Sequence, residues 1–491
     1  MRTLAIRPVL LLALAACLVL TSACGDDDPG DGTTTSSGES ASERTSDPGG
    51  TSSGDRTGSS SGDPAGSTSP TAEPDEASCL EALASPGGVL LEDDEVALQP
   101  ALAASDAGLW VGWTGPGPGE SDLAPWFAPV DCADGRWWGA TPGRLNEGTP
   151  ESEGLPRLAA SGDDVLAVWQ RADGTENQVR MLLLSADGTP RWAEPRSLDV
   201  EVRGVSVAGR TWMPDVTALP DGGWAIAATG VDEDWGSFRT YVAILDAEAN
   251  PVGPAWPVLP PAPPAAEESG EPAEEDPEVA AERERWHEAP TIAAGPGGAL
   301  WVAWDARSSV KDDVFMAVLR PDGAGSWEMS APQRMLAALP NPVGSPSFAR
   351  VDHAGTDRMW LALSVFDGGA AAMAIDVTDP DAIGTPEELA AGQSAFRTRL
   401  VQVDGGAVLA AWQSRDSATS ARGVIRTRWL TPTADGFAPV DEVEGAEMRD
   451  RTTHLVYPLA LVAHGPNAVL SWTAGAPELG WRTSLRLIQT P

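Results

Sequence analysis

One phrase recurs along this chain and limits its fold more than any other feature. A proline introduces a short strand-like run, a turn rich in Gly and Asp follows, and a strongly apolar run then ends in tryptophan. The copies begin Pro100-Ala-Leu-Ala-Ala, Pro156-Arg-Leu-Ala-Ala, Pro214-Asp-Val-Thr-Ala, Pro290-Thr-Ile-Ala-Ala, Pro346-Ser-Phe-Ala-Arg, Arg399-Leu-Val-Gln-Val and Pro458-Leu-Ala-Leu-Val. The anchors lie 56, 58, 76, 56, 53 and 59 residues apart, and the long interval holds an acidic, proline-rich insert at 260–285. A period of this length marks a repeat architecture, in which each unit buries its apolar faces only against its neighbours. The second run of five units ends in Trp113, Trp169, Trp304, Trp412 and Trp472, 13 or 14 residues past the anchor. Runs such as Leu-Trp-Val-Gly-Trp and Val-Leu-Ala-Val-Trp are apolar at odd and even positions alike, so both faces of the strand must be covered.

A third strand follows each polar loop and often closes with Asp-Gly, at 134–135, 187–188, 322–323 and 435–436. Asp-Gly supplies the positive backbone angles of a tight hairpin, so a fourth strand should return at once. Seven units of four antiparallel strands describe an all-β chain folded as a seven-bladed β-propeller spanning 79–491. The last repeat ends after its third strand, whereas the stretch from Gly88 to Leu98 has one strand to spare. The N-terminal strand is therefore expected to close the last blade. Cys79 and Cys132 flank that seam, and we expect a disulfide between them, contributing about 4 kcal/mol in the chain-entropy model.

The first residues give an address. Arg2 and Arg7 precede an apolar run from Val9 to Leu20 that ends in small residues and Cys24. The run reads as an export signal and is short for a membrane span. Thr21-Ser22-Ala23-Cys24 resembles a bacterial lipoprotein signal, with Thr where Leu is usual. Leu14-Ala15-Ala16-Cys17 fits the pattern fully but would shorten the apolar core, which favours Cys24 as the lipidated residue, after a signal peptide at 1–23. The resemblance implies a lipid anchor in the cell envelope, with Gly25 after the cysteine pointing to an outer membrane; simple secretion is the alternative. Residues 25–78 contain no Leu, Ile, Val, Met or aromatic side chain and carry 12 acids against two arginines. Such a segment cannot bury enough apolar surface to order itself. With Cys24 it forms a tether, 24–78, with a reach of roughly 40 Å.

The turn Ser185-Ala-Asp187-Gly188-Thr-Pro-Arg-Trp192 resembles the Asp-box of sialidase-like propellers, with the glycine one place early, and Asp322 to Trp327 repeats the Asp-to-Trp spacing. This resemblance implies a propeller body and carries over no active site. A net charge of -40 excludes a nucleic-acid surface, which needs clustered cations. No helical His pair and no Cys-His cluster points to zinc; calcium is the one metal that acidic loops such as Asp232-Glu-Asp234 and Asp312-Asp313 could take, although such runs are ordinarily solvated surface.

In a propeller, the loops entering first strands and those joining second to third strands share one face around the central channel, and function concentrates on such loops. That face should collect Arg210, Trp212, Trp235, Trp286, Asp305, Arg307, Arg397, Arg451 and Tyr457. The indoles could stack on sugar rings or anchor a protein, and the arginines could grip a carboxylate or simply neutralise the surplus of acids. The sequence thus points to a binding or scaffold protein of the envelope, with a protein or glycan ligand; a sialidase-like glycoside hydrolase is the alternative.

Overall fold

In this computed structural model, the described residues are 83–84, 89–90 and 97–491, except 106–107, 117–122, 131–142, 147–151, 173–176, 203–204, 207–210, 233–236, 259–285, 308–311, 324–325, 331–332, 335–342, 366–371, 381, 391–394, 416–421, 441–447, 455–458 and 477–479. The chain divides between Ala72 and Glu73, and every described residue belongs to the second unit. Cys24, Cys79, Cys132, Arg210, Trp235 and Tyr457 lie outside the described residues, as do the tether and the 260–285 insert.

The described residues form seven antiparallel blades of a β-propeller. The first three are Leu98–Ser105, Gly108–Pro116, Leu123–Val130, Gly143–Arg144; Ser152–Ser161, Asp164–Ala172, Asn177–Ser185, Arg196–Ser197; and Thr211–Ala218, Trp224–Asp232, Ser237–Leu245, Trp256–Pro257. Blade four runs Trp286–Ala294, Leu300–Arg307, Asp312–Pro321, Trp327–Met329, and blade five Val343–His353, Thr356–Val365, Ala372–Asp376, Glu387–Ala390. Blade six is Ala395–Gln402, Val408–Arg415, Arg422–Pro432, Phe437–Pro439, and blade seven holds Ala460–His464, Asn467–Ala476 and Gly480–Ile488. Its fourth strand is Val89–Leu90, which pairs antiparallel with Ser484 and Leu485. Among the described residues the closing strand is Val89–Leu90, and Leu98, the last residue of the stretch read as spare, belongs to blade one. The strand Met448–His454 pairs with both blade six and blade seven and joins their sheets.

The apolar runs of the second strands are buried on both faces, as their unbroken apolarity requires; Trp113, Trp169, Trp304 and Trp472 are almost fully inaccessible. Apolar side chains form seven clusters among the described residues, one at each seam between neighbouring blades. The cluster uniting Leu102, Val111 and Trp113 of blade one with Val469, Leu485 and Leu487 of blade seven closes the ring. Hydrogen bonds cross the same seam, from Thr483 Oγ1 to Ala97 O at 3.1 Å and from Gln99 N to Thr473 Oγ1 at 3.2 Å.

The Asp-box turn forms its own network. Ser185 Oγ donates to Asp187 Oδ1 at 2.8 Å, and Thr189 N donates to the same oxygen at 2.9 Å. These bonds hold the Asp187 carboxyl below its ordinary pKa, chiefly through Thr189 N–H. Asp246 accepts Asn250 N, and Asp322 accepts Ser326 N, in the corresponding turns of blades three and four. One acidic cap thus serves three hairpins, including the third-blade turn, which has no Asp-Gly.

The anchor prolines do not open the strands. In blades one to six each first strand starts earlier and slips register across the anchor, between Leu98 and Ala101, Gly154 and Arg157, Trp212 and Asp215, Glu288 and Thr291, Gly344 and Ser347, and Phe396 and Arg399, whereas blade seven's first strand, Ala460–His464, starts after Pro458. The sixth anchor is accordingly Thr398, one residue before the position suggested by the spacing. The residue ahead of each anchor is left-handed, with φ of 54° at Gln99, 56° at Leu155, 51° at Met213, 45° at Ala289, 55° at Ser345 and 53° at Arg397. Left-handed backbone costs a non-glycine residue about 1–2 kcal/mol, and a residue before proline is normally extended. Its recurrence in six blades makes the bulge part of the architecture.

Candidate functional site

The bulges determine what the loop face presents. A bulge removes an N–H from the ladder, and that donor needs a partner elsewhere. Met213 N finds Gln170 Oε1 at 3.3 Å, Ser345 N finds Asp305 Oδ1 at 3.0 Å, and Thr398 N finds Ser364 Oγ at 3.1 Å. In each case the acceptor is the polar residue near the end of the preceding blade's second strand. Leu155 N instead donates to Gln99 Oε1, which Thr114 Oγ1 holds at 2.9 Å, and Ala289 N points to Met213 Sδ. Together with the Gln99–Thr473 bond, these contacts stitch six seams around the channel.

Asp305 is therefore a strand residue in Leu300–Arg307, and its carboxylate does the work that threonine, serine or glutamine does elsewhere. Burial pushes its pKa up to about 7, against the pull of Arg307, the Ser345 N–H and Arg397. It pairs across the strands with Glu288, whose Oε2 lies 3.2 Å from Arg307 Nη1. Glu153 is a second buried acid near this face; Trp169 Nε1 donates to it at 2.6 Å, yet burial outweighs that bond and raises its pKa.

Beside these charges stands an aromatic group. Trp212 meets the ring of Phe238 edge-on at 4.5 Å, and Phe238 meets Trp286 at 5.9 Å. Trp286 is 47% exposed, which among the described residues makes it one of two exposed large apolar side chains. It faces Arg307 across the blade-four ladder. His287, next in sequence, turns inward instead: it is fully buried, accepts Thr240 N at Nδ1 and packs against Trp304.

Of the residues expected on this face, Trp212, Trp286 and Arg307 come together at the rim of blades three and four, with Asp305 buried beneath Arg307. Arg397 is the left-handed bulge residue of blade six and acts electrostatically on Asp305. Arg451 lies in the strand Met448–His454. The sequence reading missed Phe238 and Glu288, although both sit within three residues of an expected indole. It also placed the residues it did expect in loops, whereas Trp212, Trp286 and Arg397 stand in first strands that begin ahead of their anchors through the bulge, Asp305 and Arg307 end a second strand, and Arg451 lies in Met448–His454. Among the described residues, no group of three or more His, Cys, Asp and Glu could hold a metal ion.

The chain matches no protein-family model and no curated protein. Similar solved structures include a protein of unknown function from Dyadobacter fermentans DSM 18053, at TM-score 0.42 and 14% identity, covering 82% of this chain and 97% of that one. They include the α-L-arabinanase of Penicillium chrysogenum complexed with arabinobiose, at TM-score 0.40 and 14% identity over 68% of this chain and 92% of that one. The sialidase of Trypanosoma rangeli in complex with the inhibitor DANA follows at TM-score 0.39 and 11% identity, over 72% of this chain and 56% of that one.

Proposed function

We propose that this protein is a lipid-anchored propeller of the cell envelope, tethered through Cys24 at the outer membrane, that binds an envelope ligand on its loop face. The exposed Trp286, braced by Phe238 and flanked by Arg307, carries this reading. An indole held half in solvent by an aromatic neighbour offers a flat apolar surface beside charged hydrogen-bonding groups. That combination suits the face of a sugar ring, and it suits a protein anchor second. A glycan array and a pull-down from envelope extracts, each run with the wild-type chain and with Trp286→Ala, test it. Ligand capture that disappears with Trp286 supports the proposal, and capture indifferent to Trp286 refutes it.

Glycoside hydrolysis is the second reading, and Asp305 favours it: a carboxyl with a pKa of about 7 beside Glu288 could donate a proton. Against it, both Asp305 oxygens accept the Ser345 N–H, at 3.0 and 3.3 Å, which binds the group to the scaffold. Release of reducing sugar from an array-positive glycan, abolished by Asp305→Asn, would establish hydrolysis; binding without release excludes it.

A further inference from the structure

The exposed Trp286 belongs to a four-cornered group whose shape follows from the ladder of blade four. Trp286 stands opposite Arg307, and Glu288 stands opposite Asp305, where the first strand begins and the second ends. Residues two apart in a strand share a face, so all four side chains leave the same side of the sheet. Arg307 reaches diagonally to Glu288, with Nη1 3.2 Å from Oε2. The corners differ in depth. Asp305 is buried, and both its oxygens are engaged by the bulge N–H of Ser345, at 3.0 and 3.3 Å. Arg307 and Glu288 keep 41% and 22% of their side chains in solvent, beside the half-exposed indole.

A guanidinium and a carboxylate in contact present donors and acceptors at one spot. A pair this exposed gains little from its own attraction, and it gives up little when a ligand shares it. A hydroxyl both donates and accepts. Two adjacent hydroxyls of a sugar therefore satisfy both partners, one accepting from Arg307 and the other donating to Glu288, while the apolar side of the ring lies against Trp286. An acidic ligand satisfies Arg307 alone. It also brings its carboxylate against Glu288 and above Asp305, which makes three carboxyl groups around one guanidinium. Like charges juxtaposed in this way cost binding. Arg307 is thus already answered by Glu288 and does not act as a clamp for acids.

We propose, on the reading of Trp286 as the ligand-binding side chain, that the loop face takes an uncharged sugar and that Glu288 turns acidic sugars away. The ring packs on Trp286, and its adjacent hydroxyls are shared between Arg307 and Glu288. Repelling the wrong ligand gives the site its specificity without any further contact to the right one.

The test is an array of neutral oligomers of glucose, galactose and mannose, printed beside oligomers of the corresponding uronic acids and probed with the labelled full chain. A chain of net charge -40 repels every acidic ligand at long range, so the comparison is run at high salt, where only contact charges remain unscreened. The wild type should prefer a neutral oligomer to its uronate by about tenfold or more. Glu288→Gln should weaken neutral binding about threefold and strengthen uronate binding, so that the preference falls by at least about tenfold. Should that variant fail to fold, Glu288→Ser, which keeps a hydroxyl and drops the charge, should lower the preference in the same direction. Equal or tighter binding of the uronate by the wild type, or a preference undiminished in both Glu288 variants, overturns the proposal. Wild-type protein that binds no sugar overturns it as well; capture of an envelope protein through Trp286 would then leave the loop-face reading standing without it. Sugar binding indifferent to Trp286→Ala sinks both.

Discussion

Two seams of the ring solve the same problem with different chemistry. Between blades seven and one, the bulge N–H of Gln99 is accepted by the hydroxyl of Thr473. Between blades four and five, the bulge N–H of Ser345 is accepted by the carboxylate of Asp305. A hydroxyl does this at any pH. A buried carboxylate does it at a cost in desolvation that varies with protonation. The closing seam is thus built for constancy, whereas the seam beside Arg307 and Trp286 carries a titrating group where a neutral one suffices elsewhere.

The largest effect should come from the packing at the closing seam. Trp113 is 1% exposed within the cluster that joins blades one and seven, so Trp113→Ala should cost about 3–5 kcal/mol in urea unfolding. A loss below about 1 kcal/mol would mean that the ring does not close through this cluster. The contrast in chemistry is sharpened by Asp305. Its folded-state pKa of about 7 lies above the ordinary carboxylate value, so the folded protein holds the extra proton. Its contribution is fully present below about pH 4, declines as pH rises to about 7 and stays low above, a change of up to about 4 kcal/mol. Asp305→Asn keeps an acceptor oxygen and removes the charge. The wild-type-minus-variant difference in urea midpoint should therefore change between pH 5 and 8, with the variant the more stable at pH 8.

At the other seam, Thr473→Val should lose about 1–2 kcal/mol by stranding the Gln99 N–H, and lose it equally at pH 5 and 8. A pH-dependent loss there would erase the distinction between the two seams. The smallest effect on stability belongs to Trp286→Ala, about 0.5 kcal/mol by chemical denaturation, because the indole is half in solvent.

The blades were legible because their strands are apolar on both faces and end in tryptophan, and because Asp-Gly fixes many of the hairpins. Closure was legible from a missing fourth strand and a spare one. The bulges were not, since proline ordinarily keeps the residue before it extended, whereas here Leu155, Met213, Ala289 and Ser345 are left-handed. That concealed that Trp212, Trp286 and Arg397 stand in strands and not in loops. A quieter signal was available: Thr114, Gln170, Asp305, Gln413 and Thr473 each follow the terminal tryptophan of a second strand. A polar residue recurring at one position of an otherwise apolar strand marks a donor that needs an acceptor nearby. Phe238 escaped because the sequence reading looked for indoles and cations.

The clasp made by Val89 and Leu90 is also a mechanical element. Leu83, ahead of it in the chain, is buried in the cluster that joins blades one and seven, so the leading chain is held to the wheel by that side chain and by this two-residue pairing with Ser484 and Leu485. A pull along the leading chain loads the Leu83 contact and then that short ladder before any of the longer strands bear force. The wheel carries its own fuse at the rim, and stretching should spring the seventh blade open while the other six hold.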